Sequence, residues 1–82
     1  MFITYILYSS RIEKYYTGQT SDLVNRLEEH NRGKTPFMKS GIHWELKYSK
    51  EYSTRREAVA LERYIKKRGV SRFLKDIQDH SC

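Results

Sequence analysis

Five side chains stand out for the chemistry they could share: Tyr5, Tyr16, Arg26, His30 and Glu62. Tyr5 and Tyr16 lie in separate aromatic and β-branched runs, ITYILY and YYTG. If both phenols point to one face of paired strands, they offer two polar tips over an apolar sheet. A free phenol titrates near pH ~10, so either would serve as a base only if nearby cations lowered it. The alternative is a pair of core tyrosines with satisfied hydroxyls. Arg26 and His30 are four residues apart and share one face of a helix. The arginine offers a planar fork that matches a phosphate, and the histidine can carry a proton near neutral pH. An Asp22–Arg26 ion pair beside a surface histidine would account for the same spacing. Glu62 lies roughly 40° around a helix from Ala58, at the margin of the apolar stripe. One carboxylate can hold a single Mg²⁺ ion when substrate phosphates and waters fill the remaining positions. A plain Glu62–Lys66 surface pair is the competing explanation.

A second group is cationic. Arg63, Lys66, Lys67, Arg68, Arg72 and Lys75 run through the C-terminal third, and Arg32, Lys34 and Lys39 stand earlier. Of these, Arg32, Lys34, Lys39, Arg63, Lys66 and Lys67 are the expected contacts to a phosphate backbone. Tyr15, Phe37 and Trp44 are candidates for stacking on bases. A solvated helix face is the alternative for the charges, and ordinary packing for the rings.

The elements that must position these groups are legible from pattern. Residues 2–9, FITYILYS, are apolar, aromatic or β-branched on both alternating faces, as a central strand requires. A turn around Ser10 to Glu13 leads to a second strand through Tyr16, and Gly18 marks a bend or close approach. A helix is predicted from about Asp22 to Asn31, capped by Thr20 or Ser21 and ended by Gly33, with Leu23, Val24 and Leu27 as its stripe. Residues 33–41 read as a loop. In residues 43–52, alternation places Trp44, Leu46, Tyr48 and Tyr52 on one face of a strand. The box Thr54-x-x-Glu57 opens a long helix that ends at Gly69. A short last helix, capped by Ser71 and fraying towards Cys82, carries Phe73, Leu74 and Ile77. The order is ββαβαα, an α+β arrangement in which helices pack on a small antiparallel sheet.

Composition sets the bounds. The chain has 82 residues, enough for one small domain over 1–82 with a thin core and a shallow site. A net charge of +6 favours an anionic partner, with nucleic acid foremost. The single cysteine, Cys82, excludes an internal disulfide and a cysteine-based zinc site, and suits a reducing cytoplasm. No run is long enough for a membrane span, and the N-terminus lacks the features of a signal peptide.

The order of the polar residues is more specific than any one of them. Ile3-Thr4-Tyr5, then Tyr16-Thr17-Gly18, then Asp22-Leu23-x-x-Arg26-Leu27-x-x-His30-Asn31-x-Gly33, and finally Glu57-Ala58-x-x-x-Glu62 resembles the GIY-YIG nuclease superfamily, and in particular its small stand-alone members. The resemblance runs from about Phe2 to Leu74. It implies a three-stranded antiparallel sheet flanked by helices, and one-step hydrolysis of a DNA phosphodiester with one Mg²⁺ (or Mn²⁺) ion. By position, Tyr5 and Tyr16 match the two motif tyrosines, Arg26 the helix arginine, His30 a histidine carried by some members, and Glu62 the metal-binding glutamate. The chain departs from the pattern in lacking a glycine before Ile3-Thr4-Tyr5, in having threonine inside Tyr-Thr-Gly, and in placing Gln19 where some members have lysine. The expectation is a metal-dependent endonuclease acting on DNA, branched or damaged DNA included, alone or helped by a second copy or a partner protein. The alternatives are a non-catalytic nucleic-acid-binding module and a protein-interaction subunit.

Overall fold

Strand β1 (Phe2–Ser9) lies between β2 (Lys14–Thr20) and β3 (Glu45–Tyr52) in an antiparallel sheet ordered β2-β1-β3. Its run of apolar side chains on both faces is what a doubly covered central strand needs. The architecture is that of a computed structural model, which describes residues 1–80. Cys82 and the fraying expected near it lie outside the described residues.

Alternate residues of β1 feed two separate cores. Tyr5 and Leu7 join Trp44 on one face, where Leu23 and Leu27 of helix α1 (Leu23–Asn31) pack with Ile12 and Tyr16. Ile6 points to the other face and meets Ile65 of α3 (Arg55–Arg68) and Phe73 of α4 (Val70–His80). On this second face the buried Thr4 hydroxyl donates to the Ala58 carbonyl at 2.7 Å, fastening α3 to the central strand. The order is therefore the expected ββαβαα with one addition. Residues 36–40, read from sequence as part of a loop, form a five-residue helix α2 (Pro36–Ser40). Thr35 caps it and Pro36 occupies its first turn, where a missing N–H costs nothing.

The helix ends differ from expectation in detail. Asp22, not Thr20 or Ser21, is the N-cap of α1, and its carboxylate accepts from the Asn25 amide at 3.2 Å. The Thr20 hydroxyl instead accepts from the Asp22 amide at 3.1 Å. Val24, assigned to the apolar stripe, is 73% exposed and faces solvent. Thr54 caps α3 as predicted, and the Glu57 carboxylate accepts from the Thr54 and Ser53 hydroxyls. Ser71 falls inside α4, which starts directly after Gly69; that glycine adopts φ +96° between the two helices. Arg68 then spans the junction, its guanidinium donating to both oxygens of Asp76 at 2.9 and 3.0 Å.

The predicted one-sided alternation of residues 43–52 fails at a bulge. Ile6 pairs with Tyr48 and Leu7 with Leu46, which leaves Lys47 as the extra residue. A single insertion reverses the faces beyond it. Trp44 is buried with Tyr5 and Leu7, Tyr48 packs edge-on against Phe73 across the sheet, and Leu46 is left 42% exposed. No helix among the described residues is long and apolar enough to cross a membrane.

Candidate active site

Strand pairing places both tyrosines on the α1 face. Tyr5 is opposite Gly18, and Tyr16 is opposite Leu7. The rings stack at an interplanar angle of 28°, centroids 6.3 Å apart. Gly18 makes room for them: a Cβ there would stand 2.7 Å from the Tyr5 hydroxyl oxygen and 3.2 Å from Cε1 of Tyr16. The glycine of the Tyr-Thr-Gly run is thus required by a close approach rather than by an unusual backbone angle.

Helix α1 adds His30, which is completely buried. Its ring meets Tyr16 edge-on at 4.5 Å between centroids, and Tyr5 and Trp44 at 6.3 and 6.2 Å. Nδ1 lies 2.9 Å from the Arg26 carbonyl oxygen. A carbonyl only accepts, so Nδ1 carries the proton. In the neutral ring Nε2 is then an acceptor, and among the described residues it has no hydrogen-bond partner. A buried acceptor left open beside two phenols is a costly arrangement for a purely structural histidine.

Arg26 stands one turn before His30 and is half-buried. The Asp22–Arg26 pair that would have explained it does not form: Asp22 is engaged as the cap. Among the described residues no carboxylate pairs with the Arg26 guanidinium. Its charge nonetheless reaches Tyr5. So does that of Glu62, from α3, a helix whose neighbours Ala58 and Ile65 pack on the opposite face of the sheet. The Glu62 side chain is only 20% exposed, and Lys66 donates to its Oε2 at 2.8 Å. The surface pair considered from sequence is therefore formed, but by a carboxylate that is mostly covered.

The lowering that would make Tyr5 a base does not occur. Burial pushes it well above the ordinary phenol range, Tyr16, Glu62 and Glu29 push the same way, and Arg26 opposes them without prevailing. Tyr5 is a neutral hydrogen-bonding group in this setting, not a phenolate.

The cations expected to contact phosphates fall into two groups. Arg32 pairs with Glu28 at 3.5 Å, Lys34 with Glu29 at 3.6 Å, and Lys66 with Glu62. Lys39, Arg63 and Lys67 are exposed, and no carboxylate pairs with them among the described residues. Of the candidate stacking rings, Tyr15 and Phe37 are exposed, whereas Trp44 is buried and cannot receive a base. Trp44 is a support. Its amide donates to Asn31 Oδ1 at 2.7 Å, Asn31 Nδ2 donates back to its carbonyl at 3.3 Å, and its indole N–H donates to the Met38 carbonyl at 3.0 Å. Sequence reading gave Asn31 no task. Its only signal was its place in the His30-Asn31-x-Gly33 run.

A family model described as the GIY-YIG catalytic domain matches residues 1–73, which takes in all five polar residues. The chain belongs to the GIY-YIG family. Its similarity extends to a UPF0213 protein of Bacillus licheniformis, 38% identical over 64 residues that cover 77% of this chain and 65% of the relative. The UPF0213 protein YazA of Bacillus subtilis is 41% identical over 54 residues, covering 65% and 54%. A UPF0213 protein of Streptococcus agalactiae serotype V is 32% identical over 66 residues, covering 79% and 75%. The match thus spans about two thirds and about half of the two Bacillus relatives. No solved structure matches this chain. The GIY-YIG sheet and helices expected from the sequence are those observed.

Proposed function

We propose that this GIY-YIG domain is a divalent-metal-dependent DNA endonuclease that hydrolyses a phosphodiester in one step. The observation that carries the reading is the ring cluster of Tyr5, Tyr16 and the buried His30, whose Nε2 is left open, with the charges of Arg26 on α1 and Glu62 on α3 both felt at the Tyr5 phenol. A phosphoryl group needs that combination: a fixed positive group for its developing charge and an oxygen ligand for a metal.

The donor set fits one Mg²⁺ or Mn²⁺ ion held by a single protein carboxylate. Glu62 is that carboxylate, and among the described residues no cluster of three or more ligating side chains competes as a cage. Oxygen-rich octahedral coordination then leaves most positions to substrate phosphate and water. When bound, such an ion would polarise the phosphoryl oxygens and steady the leaving oxygen. Arg26, which no carboxylate pairs with among the described residues, stabilises the charge that grows on the non-bridging oxygens. Tyr5 stays protonated and orients the attacking water. Tyr16 is less buried, and His30 lies against it with Nε2 open to accept; these two form the proton path. Lys66, now paired with Glu62 at 2.8 Å, would have to release it for the carboxylate to hold the ion.

The Lys66–Glu62 pair also favours a second reading, a nucleic-acid-binding module that keeps the fold without the reaction. A cleavage assay separates them. Purified protein and its Glu62→Gln variant are incubated with labelled duplex, branched and single-stranded DNA in Mg²⁺, Mn²⁺ or EDTA. Metal-dependent cuts that the variant lacks are expected. Binding without cutting on every substrate would sink the nuclease reading in favour of the module.

A further inference from the structure

Five of the six cations of α3 are gathered on one side of the helix; the sixth, Arg68, is held by Asp76. Measured from Glu62 at ~100° per residue, Arg55, Arg56, Arg63, Lys66 and Lys67 all fall within ~140° in one direction, and Ala58, Leu61 and Ile65 within ~100° in the other. No acidic residue interrupts the cationic side. Glu57, the only other acid of α3, is held at the helix start by the Ser53 and Thr54 hydroxyls. Arg55, Arg56 and Arg63 line a shallow groove of about 510 Å³, with the short side chains of Val59 and Ala60 between them. The Arg55 guanidinium lies over the Phe2 ring, 5.0 Å from its centroid, which fixes one wall. Arg56, Arg63 and Lys67 are exposed, and no carboxylate pairs with them among the described residues. The cations following α1 are different: Arg32 and Lys34 are already neutralised by Glu28 and Glu29.

We propose that the arginine groove of α3, formed by Arg55, Arg56 and Arg63, seats the phosphate backbone of the DNA and leads it along the helix to Glu62. The proposal rests on the nuclease reading and names its docking surface. Unpaired guanidinium groups take phosphate oxygens in a bidentate manner, with no internal carboxylate to displace. The rise from Arg56 to Lys67 is roughly 16 Å, the axial rise of about five base pairs of duplex. Small residues at positions 59 and 60 let a sugar-phosphate ridge approach the helix closely. Backbone contacts of this kind position DNA without reading its sequence.

The test compares two double variants, both built on the cleavage-deficient Glu62→Gln background. One is Arg56→Ala/Arg63→Ala. The other is Arg11→Ala/Lys14→Ala, which removes the same charge from the β1–β2 turn and the first residue of β2. Binding to a labelled duplex is measured by anisotropy from 50 to 300 mM salt, with circular dichroism to verify folding. The groove variant is expected to weaken binding at least tenfold at low salt. It should also flatten the log–log salt dependence by about 1.8, at roughly 0.9 per lost phosphate contact. The turn variant should bind close to its parent. Equal losses in both would reduce the effect to net charge and overturn the groove. A folded groove variant that binds as its parent does would also overturn it, while leaving the nuclease reading standing if the unmodified protein cuts DNA. Should the unmodified protein neither bind nor cut DNA, both would fall together.

Discussion

The two faces of the sheet are made from the same strand yet differ in kind. On the α3–α4 face, Ile6, Ile65 and Phe73 form an apolar cluster bordered by Leu61, Leu74 and Ile77. On the α1 face, Tyr5, Tyr16, Trp44 and His30 make a cluster of rings with polar atoms in it, one of them an open acceptor. One face is aliphatic packing that a methyl group can disturb. The other accepts unsatisfied polarity and a displaced phenol titration, as a site built for chemistry does. The contrast separates residues that keep the chain folded from those that would make it react.

If that division is real, single substitutions should divide the same way. Ile65→Ala, on the aliphatic face, is expected to cost ~2–5 kcal/mol of stability. Urea denaturation would show it, and any activity retained by the folded fraction should be near normal. Arg26→Ala is expected to do the reverse. Loss of a charge-stabilising donor costs roughly 10²–10³-fold in kcat, and the melting temperature should barely move, since no ion pair among the described residues is broken. An Arg26→Ala protein that cleaves at full rate would remove the arginine from the proposed chemistry.

Gly18→Ala tests where the faces touch function and packing at once. The new Cβ would press on the Tyr5 hydroxyl, so we expect a loss of ~1–3 kcal/mol together with reduced cleavage. Adding Tyr5→Phe removes the contacted oxygen and should restore much of the stability but none of the activity. No recovery in the double variant would mean that the crowding lies elsewhere. The smallest effect concerns alkaline pH. The Tyr5 phenol is raised in the folded chain, so the unfolded chain releases this proton first. Its contribution to stability is complete below pH ~10, the ordinary phenol value, and is lost as pH climbs from there towards the folded value. Urea midpoints measured from pH 8 to 11 should fall less steeply in Tyr5→Phe than in the parent; identical slopes would deny the shift.

Much of this was readable in the sequence. FITYILYS announces a strand covered on both sides, and the Thr54 box and Gly69 bound α3 correctly. The spacing of Tyr5, Tyr16 and His30 anticipates rings that do come together. What stayed hidden depends on the third dimension. The bulge at Lys47 leaves the alternating pattern intact while exchanging faces, so Trp44 and Tyr48 could not be assigned. Helix α2 is too short to show periodicity, although Thr35-Pro36 carried its start signal. Nothing in a charge run distinguishes Arg32, which has a carboxylate partner, from Arg63, which has none among the described residues. For Tyr5, sequence could state only the condition for basicity, a phenol lowered by nearby cations, whereas burial decides the direction and raises it.

Tyr5 pairs with Gly18 on one side and Ser49 on the other. Its backbone therefore cannot detach by local fraying; releasing it means opening the sheet from the middle. Amide exchange there should report global unfolding, among the slowest rates in the chain. The central phenol accordingly persists for as long as the fold does. In the proposed reaction, adjustment to a phosphodiester would fall instead to the side chains of Arg26, Glu62 and Lys66, while the central strand stays fixed.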